Sequence, residues 1–138
     1  MTKEKRILVV DDDDEWRKRV SESLAILGCE IHLASCRDEA EEMLHQETPY
    51  DLVICDNSMP RTVDSTKPER NSGIGLRASM RFDQRRLRDI PFILHSADET
   101  GEVERMIVEL GGAFCDKSED QKTLIAMAEG MLLNSTPA

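Results

Sequence analysis

Apolar residues along the chain fall into short blocks with two alternating spacings. Ile7–Val10 ("ILVV") is a continuous aliphatic run, the pattern of a strand buried on both faces. Trp16, Val20, Leu24 and Leu27 then recur about once per helical turn, and Gly28 offers a C-terminal cap. Glu30–Ala34 ("EIHLA") predicts a second strand. Asp38–Gln46 predicts a helix with Ala40, Met43 and Leu44 on one face, ended by Pro49. Asp51–Cys55 ("DLVIC") predicts the third strand. A polar stretch, Arg61–Ser72, precedes a helix predicted over Leu76–Leu87 with arginines on its outer side. Phe92–His95 ("FILH") is the fourth predicted strand. Val103, Met106, Ile107 and Leu110 match the i, i+3, i+4, i+7 template of a helix. Ala113–Asp116 ("AFCD") is the fifth strand. Ser118–Gln121 ("SEDQ") resembles a capping box before a last helix that buries Leu124, Met127, Ala128 and Met131. The tail from Asn134 is expected to fray.

Strict alternation of strand and helix implies an α/β fold: a doubly wound, five-stranded parallel sheet flanked by five helices. In such sheets ligands bind beyond the carboxyl ends of the strands. The residues there carry chemistry. Asp11 and Asp12 follow the first strand, Asp56 the third, Ser96 and Ala97 the fourth, and Lys117 the fifth. Asn57 and Ser58 add backbone groups beside Asp56. Clustered carboxylates raise one another's pKa values, and a hard divalent cation relieves that conflict. Mg²⁺ prefers oxygen ligands and shares them readily with phosphate. A lysine beside the acids suits a phosphoryl oxygen. The set points to Mg²⁺-assisted phosphoryl chemistry, with Mn²⁺ as a substitute, and no His/Cys spacing suggests zinc.

Composition narrows the field. The 138 residues amount to one domain, and the net charge of −10 argues against a nucleic-acid-binding face. No apolar run approaches a membrane span, and the N-terminus lacks a signal-peptide pattern, so membrane insertion is not expected and a cytoplasmic location is. Cys29, Cys36, Cys55 and Cys115 form no C-x-x-C pair and read as reduced thiols. His32, His45 and His95 read as structural or exposed, and Trp16 as helix packing near the site. The acidic run is not a calcium loop, because Trp16 stands where the turn glycine would be. Glu15 likewise breaks the D-x-D-x-[TV] pattern of haloacid-dehalogenase phosphatases. A metal-dependent phosphatase also lacks a second general acid.

The ordered segments "ILVVDDD", "YDLVICDNSMP", "IPFILHSA" and "GGAFCDKS" resemble the receiver domain of two-component response regulators, over Arg6 to about Leu133. The resemblance implies a flavodoxin-like receiver fold. It implies that Asp56 is the phosphoacceptor, attacking the phosphohistidine of a sensor histidine kinase or phosphotransfer protein. Asp11 and Asp12 match the acidic pair that binds Mg²⁺ with Asp56, and the backbone carbonyl of Ser58 matches a further ligand. Ser96 matches the hydroxyl that turns toward the phosphoryl group, Lys117 the lysine that pairs with it, and Phe114 the aromatic switch. Such a domain signals to a downstream protein target, by default through the fourth helix, fifth strand and fifth helix. It is not an enzyme beyond its own phosphorylation and dephosphorylation. Residues 1–138 then form one receiver domain with a core of about 5–133, stand-alone or excised from a longer regulator. The competing class is a pseudo-receiver, a protein-binding module that takes no phosphate.

Two features depart from that family pattern. Ser118 follows Lys117 where the family usually has proline, which leaves open whether that peptide is cis. Gly73 lies thirteen residues beyond Pro60, where the family glycine stands about four beyond. Residues 61–72 therefore contain an insertion of about nine or ten residues, long for a βα loop. Either the loop has no role, or Arg61, Lys67 or Arg70 contacts a partner kinase or gates Asp56. Within the acidic run, Asp13 reads as a solvated linker and Asp14 as the N-cap of the first helix. A shift making Asp12 and Asp13 the metal pair stays open.

Overall fold

Aliphatic runs with no polar alternation can form strands only where both faces are covered. The computed structural model, which describes residues 4–46, 48–65, 67–83, 87–97 and 101–134, places them so. The strands are β1 (Arg6–Val10), β2 (Glu30–Ala34), β3 (Leu52–Cys55), β4 (Phe92–Ser96) and β5 (Ala113–Asp116). They form one parallel sheet in the order β2-β1-β3-β4-β5. The helices are α1 (Asp14–Leu24), α2 (Arg37–Leu44), α3 (Ser72–Phe82), α4 (Glu102–Glu109) and α5 (Gln121–Asn134).

Strand alternation splits the core in two. Leu8, Val10, Val53, Cys55, Phe92 and Leu94 face α2, α3 and α4, against Ala40, Leu44, Leu76, Met80, Val103 and Ile107. Ile7, Val9, Leu52, Ile54, Ile93 and Cys115 face α1 and α5, against Val20, Leu24, Leu124, Ala128 and Leu132. Each buried Val, Leu, Ile, Met or Phe side chain among them contributes about 1.5–3 kcal/mol. The four cysteines are free thiols, three of them buried. No described helix is long and apolar enough to cross a membrane.

Several predicted boundaries move, each for a local reason. Gly28 caps the turn after α1 with a left-handed backbone, as its position predicts. Asp13, not Asp14, is the N-cap of α1: its carboxylate accepts from the amides of Glu15 (2.9 Å) and Trp16 (3.3 Å). Asp14 instead pairs with Arg17 one turn on. The predicted capping box at Ser118 does not form. Asp120 caps α5, accepting from the Lys122 amide at 3.1 Å, while the Ser118 amide donates to Asp116 Oδ1 at 2.8 Å. The described residues contain no cis peptide, so Lys117–Ser118 is trans. The backbone of α5 runs through Asn134, and residues 135–138 of the tail lie outside the described set.

The largest shift is in α3, which starts at Ser72 rather than Leu76 and ends at Phe82. Gly73 and Gly75 mask its first turn, because glycine is a poor helix former. Leu87 lies beyond the helix in a short 3-10 turn, Leu87–Asp89, and residues 84–86 of the predicted span lie outside the described set. Nor are the arginines of α3 all outward. Arg77 is buried, and its guanidinium donates to the carbonyls of Ile90 and Leu110, both at 3.0 Å.

Candidate functional site

Sheet hydrogen bonding continues one residue past three strand ends. The Asp56 amide donates to the Val10 carbonyl (2.8 Å), the Asp11 amide to Ala34 (3.0 Å) and the Lys117 amide to Ser96 (2.9 Å). Asp11, Asp56 and Lys117 are therefore held by the sheet itself, where strand order reverses between β1 and β3. Lys117 Nζ lies 2.8 Å from Asp11 Oδ2 and 3.3 Å from Asp56 Oδ1. One carboxylate oxygen each from Asp11, Asp12 and Asp56 falls within 4.8 Å of the others. Asp11 and Asp56 are buried, and Asp12 is exposed. Asp13 points away, into the α1 cap, so the pair brought together with Asp56 is Asp11–Asp12 and not Asp12–Asp13.

Three acids against one ammonium set the electrostatics. Burial, then the nearby charge of Asp11, pushes the Asp56 carboxyl up to about 6, although Lys117 opposes the shift. Burial and Asp11 also raise Asp12. Desolvation alone would lower the Lys117 pKa, but its contacts with Asp11 and Asp56 outweigh that and raise it. The ammonium stays charged. An all-oxygen donor set with residual negative charge fits a hard divalent cation such as Mg²⁺.

Asp56, Asn57, Ser58, Ser96, Ala97 and Lys117 line an open cleft of about 300 Å³, together with Arg70 and Asn71. Ser96, at the end of β4, is buried, and Ser58 is exposed at the rim. Phe114 lies elsewhere. It is half-buried on β5, packs against the α2–α4 side of the core, and borders a separate hollow with Glu104, Asp116, Glu119 and Met127. Trp16 stands beside the site, its ring 5.0 Å from Lys117 Nζ and edge-on to His95 at 5.3 Å. Burial, then the charge of Lys117, pushes the His95 pKa down to about 4, so its ring is neutral at pH 7.

Sequence reasoning missed three supports. Arg17 in α1 donates back to the Asp11 carbonyl at 2.5 Å and pins the acidic turn, a six-residue reach with no motif to announce it. Asn57 contributes its side chain as well as its backbone. Its Nδ2 donates to Asn71 (3.0 Å) and its Oδ1 accepts from the Ile74 amide (3.1 Å), which fixes the start of α3. Gly73 lies where any Cβ would overlap the Asp56 carbonyl oxygen and stand 3.0 Å from Asn57 Cα. Its displacement in sequence was legible, but its contact was not.

The loop over residues 61–72 is tied down at both ends. The Glu69 amide donates to the Met59 carbonyl (2.8 Å), and the Met59 amide donates to Ser72 Oγ (2.8 Å). Carbonyls of Pro60 and Arg61 accept from the amides of Arg37 and Asp38, so the loop caps the start of α2. Arg61 also pairs with Asp38 at 3.0 Å.

Known proteins resemble this arrangement. A model of the response regulator receiver domain matches residues 7–129. The "Probable transcriptional regulator ycf27" of Guillardia theta is 36% identical over 96 residues, 70% of this chain and 32% of that protein. The two-component response regulator ARR11 of Arabidopsis thaliana is 31% identical over 112 residues, 80% of this chain and 19% of that protein. The chain thus spans about a third and about a fifth of the length of these two relatives. Among solved structures, the non-phosphorylated HemR receiver domain of Leptospira biflexa superposes with a TM-score of 0.79 at 25% identity, covering 98% of this chain and 99% of that one. The chemotaxis response regulator CheY4 of Vibrio cholerae shares the fold with a TM-score of 0.75 at 23% identity, covering 94% and 99%. With the family model matched across nearly the whole sheet and its strand-end site, the chain belongs to the response regulator receiver domains of two-component signalling.

Proposed function

We propose that this chain is a phosphoacceptor receiver that takes a phosphoryl group onto Asp56 and passes the signal to a protein target. The observation that carries the reading is the Lys117 ammonium shared between Asp11 and Asp56 at 2.8 and 3.3 Å, on a buried strand-end ledge. An Asp56 carboxylate oxygen attacks the phosphorus of a phosphohistidine on a sensor kinase or phosphotransfer protein. The new O–P bond forms as the N–P bond breaks, and the electron pair leaves with the imidazole. Both reactants are anionic, so positioning and neutralisation supply most of the acceleration. Asp11, Asp12, Asp56 and the Ser58 carbonyl would hold Mg²⁺, with Mn²⁺ as a substitute. The metal, when bound, would neutralise phosphoryl oxygens.

Lys117 leaves Asp56 as that carboxylate becomes an acyl phosphate, and pairs with a phosphoryl oxygen. The Ser96 hydroxyl donates to another, and Phe114 on β5 follows it. The added charge of about −2 biases these groups toward a second arrangement. Water then attacks the phosphorus, which returns the Asp56 carboxylate and inorganic phosphate, so the device is a timed switch. One receiver domain, about 5–133 with the insertion near 61–72, suffices for this chemistry, which suits a cytoplasmic setting.

Intact mass spectrometry after incubation with Mg²⁺ and acetyl phosphate tests the reading. The wild type should gain one phosphate, and Asp56→Asn none. A wild type that gains none, from acetyl phosphate or from a histidine kinase, would make the chain a pseudo-receiver instead.

A further inference from the structure

The inserted loop delivers a charge to the phosphoacceptor cleft. Of its three cations named above, Arg61 is occupied with Asp38 at 3.0 Å, and Lys67 is exposed and does not line the cleft. Arg70 does line it, with Asp56, Ser96 and Lys117. Its place is not left to chance. Glu69 on one side is bridged to Met59, and Asn71 on the other is bonded to Asn57, the neighbour of the phosphoacceptor. Asn71 sits in a left-handed turn (φ 60°), a conformation that asparagine tolerates better than most residues. Arg70 is thus the residue between two clamps, and both clamps end on the segment that carries Asp56.

Electrostatics give that position a use. Asp56 and Lys117 line the cleft and Asp11 and Asp12 stand beside Asp56, three carboxylates against one ammonium, so even a bound divalent cation only cancels the charge and leaves no surplus for a dianionic phosphoryl group. A guanidinium offers several N–H donors in a fork that matches phosphate oxygens. We propose that Arg70 is a second phosphoryl-binding cation, supplied by the insertion, that captures anionic phosphodonors at the mouth of the cleft and contacts the phosphoryl group on Asp56. This rests on the phosphoacceptor reading. With acetyl phosphate, the Asp56 O–P bond forms as the acetyl O–P bond breaks, and the electron pair leaves with acetate. Arg70 acts on the phosphoryl oxygens throughout and exchanges no proton.

The test is the rate of phosphorylation by acetyl phosphate at saturating Mg²⁺, read by intact mass. Arg70→Ala should slow it about three- to fivefold at low salt, the range of an exposed ion pair, and the gap should close as ionic strength rises. Arg70→Lys should recover part of the rate. Lys67→Ala removes the same charge from the same loop outside the cleft and should leave the rate unchanged. Calorimetric Mg²⁺ affinity without phosphodonor should not fall in Arg70→Ala, because Arg70 holds no metal. A rate equal to wild type in Arg70→Ala, or equal slowing in Lys67→Ala, overturns the proposal while leaving the phosphoacceptor reading intact. A wild type that takes no phosphate overturns both.

Discussion

Gly73→Ala probes how α3 is seated on the Asp56–Asn57 turn. A methyl at Gly73 would overlap the Asp56 carbonyl oxygen, stand 2.7 Å from Leu94 Cδ1 and 3.0 Å from Asn57 Cα. Two of those three neighbours are backbone of the strand-end turn and cannot rotate away. Relief requires α3 to lift or the Asp56–Asn57 turn to shift, an overpacking penalty of about 3 kcal/mol. Alanine recovers about 1 kcal/mol of helix propensity, so the net loss is about 2 kcal/mol. With an m-value of about 2 kcal/mol/M, the urea midpoint should fall by about 1 M. Gly130→Ala in α5 is the matched control. Apart from the adjoining backbone of α5 itself, no described atom lies within 4 Å of its added Cβ, so the midpoint should rise by about 0.3–0.5 M from propensity alone. Phosphorylation should slow in Gly73→Ala and not in Gly130→Ala. A Gly73→Ala midpoint at or above wild type would refute the close seating of α3 on the Asp56–Asn57 turn.

Asp56 also governs a pH dependence of the metal-free protein. Its folded pKa of about 6 exceeds the ordinary 3.8, so the native state holds a proton that the unfolded chain has released. The contribution of Asp56 to stability therefore falls as pH rises from about 4 through 6, by on the order of 2 kcal/mol. In EDTA, Asp56→Asn should be the more stable protein at pH 7.5 by about that amount, and the advantage should shrink toward pH 4.5. Urea titrations of both proteins at the two pH values check this, and a wild type more stable than Asp56→Asn at pH 7.5 refutes it. Within the acidic run, Asp13→Ala should cost about 1 kcal/mol of stability by losing the α1 cap, with Mg²⁺ affinity by calorimetry within about threefold of wild type. Asp12→Asn should do the reverse, weakening Mg²⁺ at least about tenfold with little loss of stability.

Much of the fold was legible because strand periodicity and strand-end chemistry are local properties. A run such as Ile7–Val10 needs cover on both faces wherever it sits, so three such runs and two shorter strand-like segments, separated by helical spacing, left few alternatives to a doubly wound sheet. Strands β2 and β5 have the predicted bounds, and β1, β3 and β4 differ at most by an end residue. The candidate site was legible for the same reason: Asp11, Asp56, Ser96 and Lys117 end or directly follow buried strands, and the sheet carries them to one edge.

Caps and the course of α3 were harder to read. Asp13 and Asp14 are identical side chains one residue apart, and only the φ/ψ angles at Asp13 decide which one caps. Ser118 had a capping-box sequence, yet the turn after Lys117 gave the role to Asp120. Two glycines hid the first turn of α3, whose start depends on the Asn57 side chain and on Ser72, thirteen or more residues apart in sequence from their partners. Arg77 looked solvent-facing by composition and is buried because two carbonyl ends, at Ile90 and Leu110, needed donors.

The amino-acid sequence by itself determined the sheet, its alternation with helices and the residues at the strand ends, since each follows from side-chain burial along a short segment. Tertiary structure alone decided which acids share Lys117, which one caps α1, and that the loop after Met59 places Arg70 in the Asp56 cleft. Those outcomes depend on distances between segments far apart in the chain, and periodicity carries no information about them.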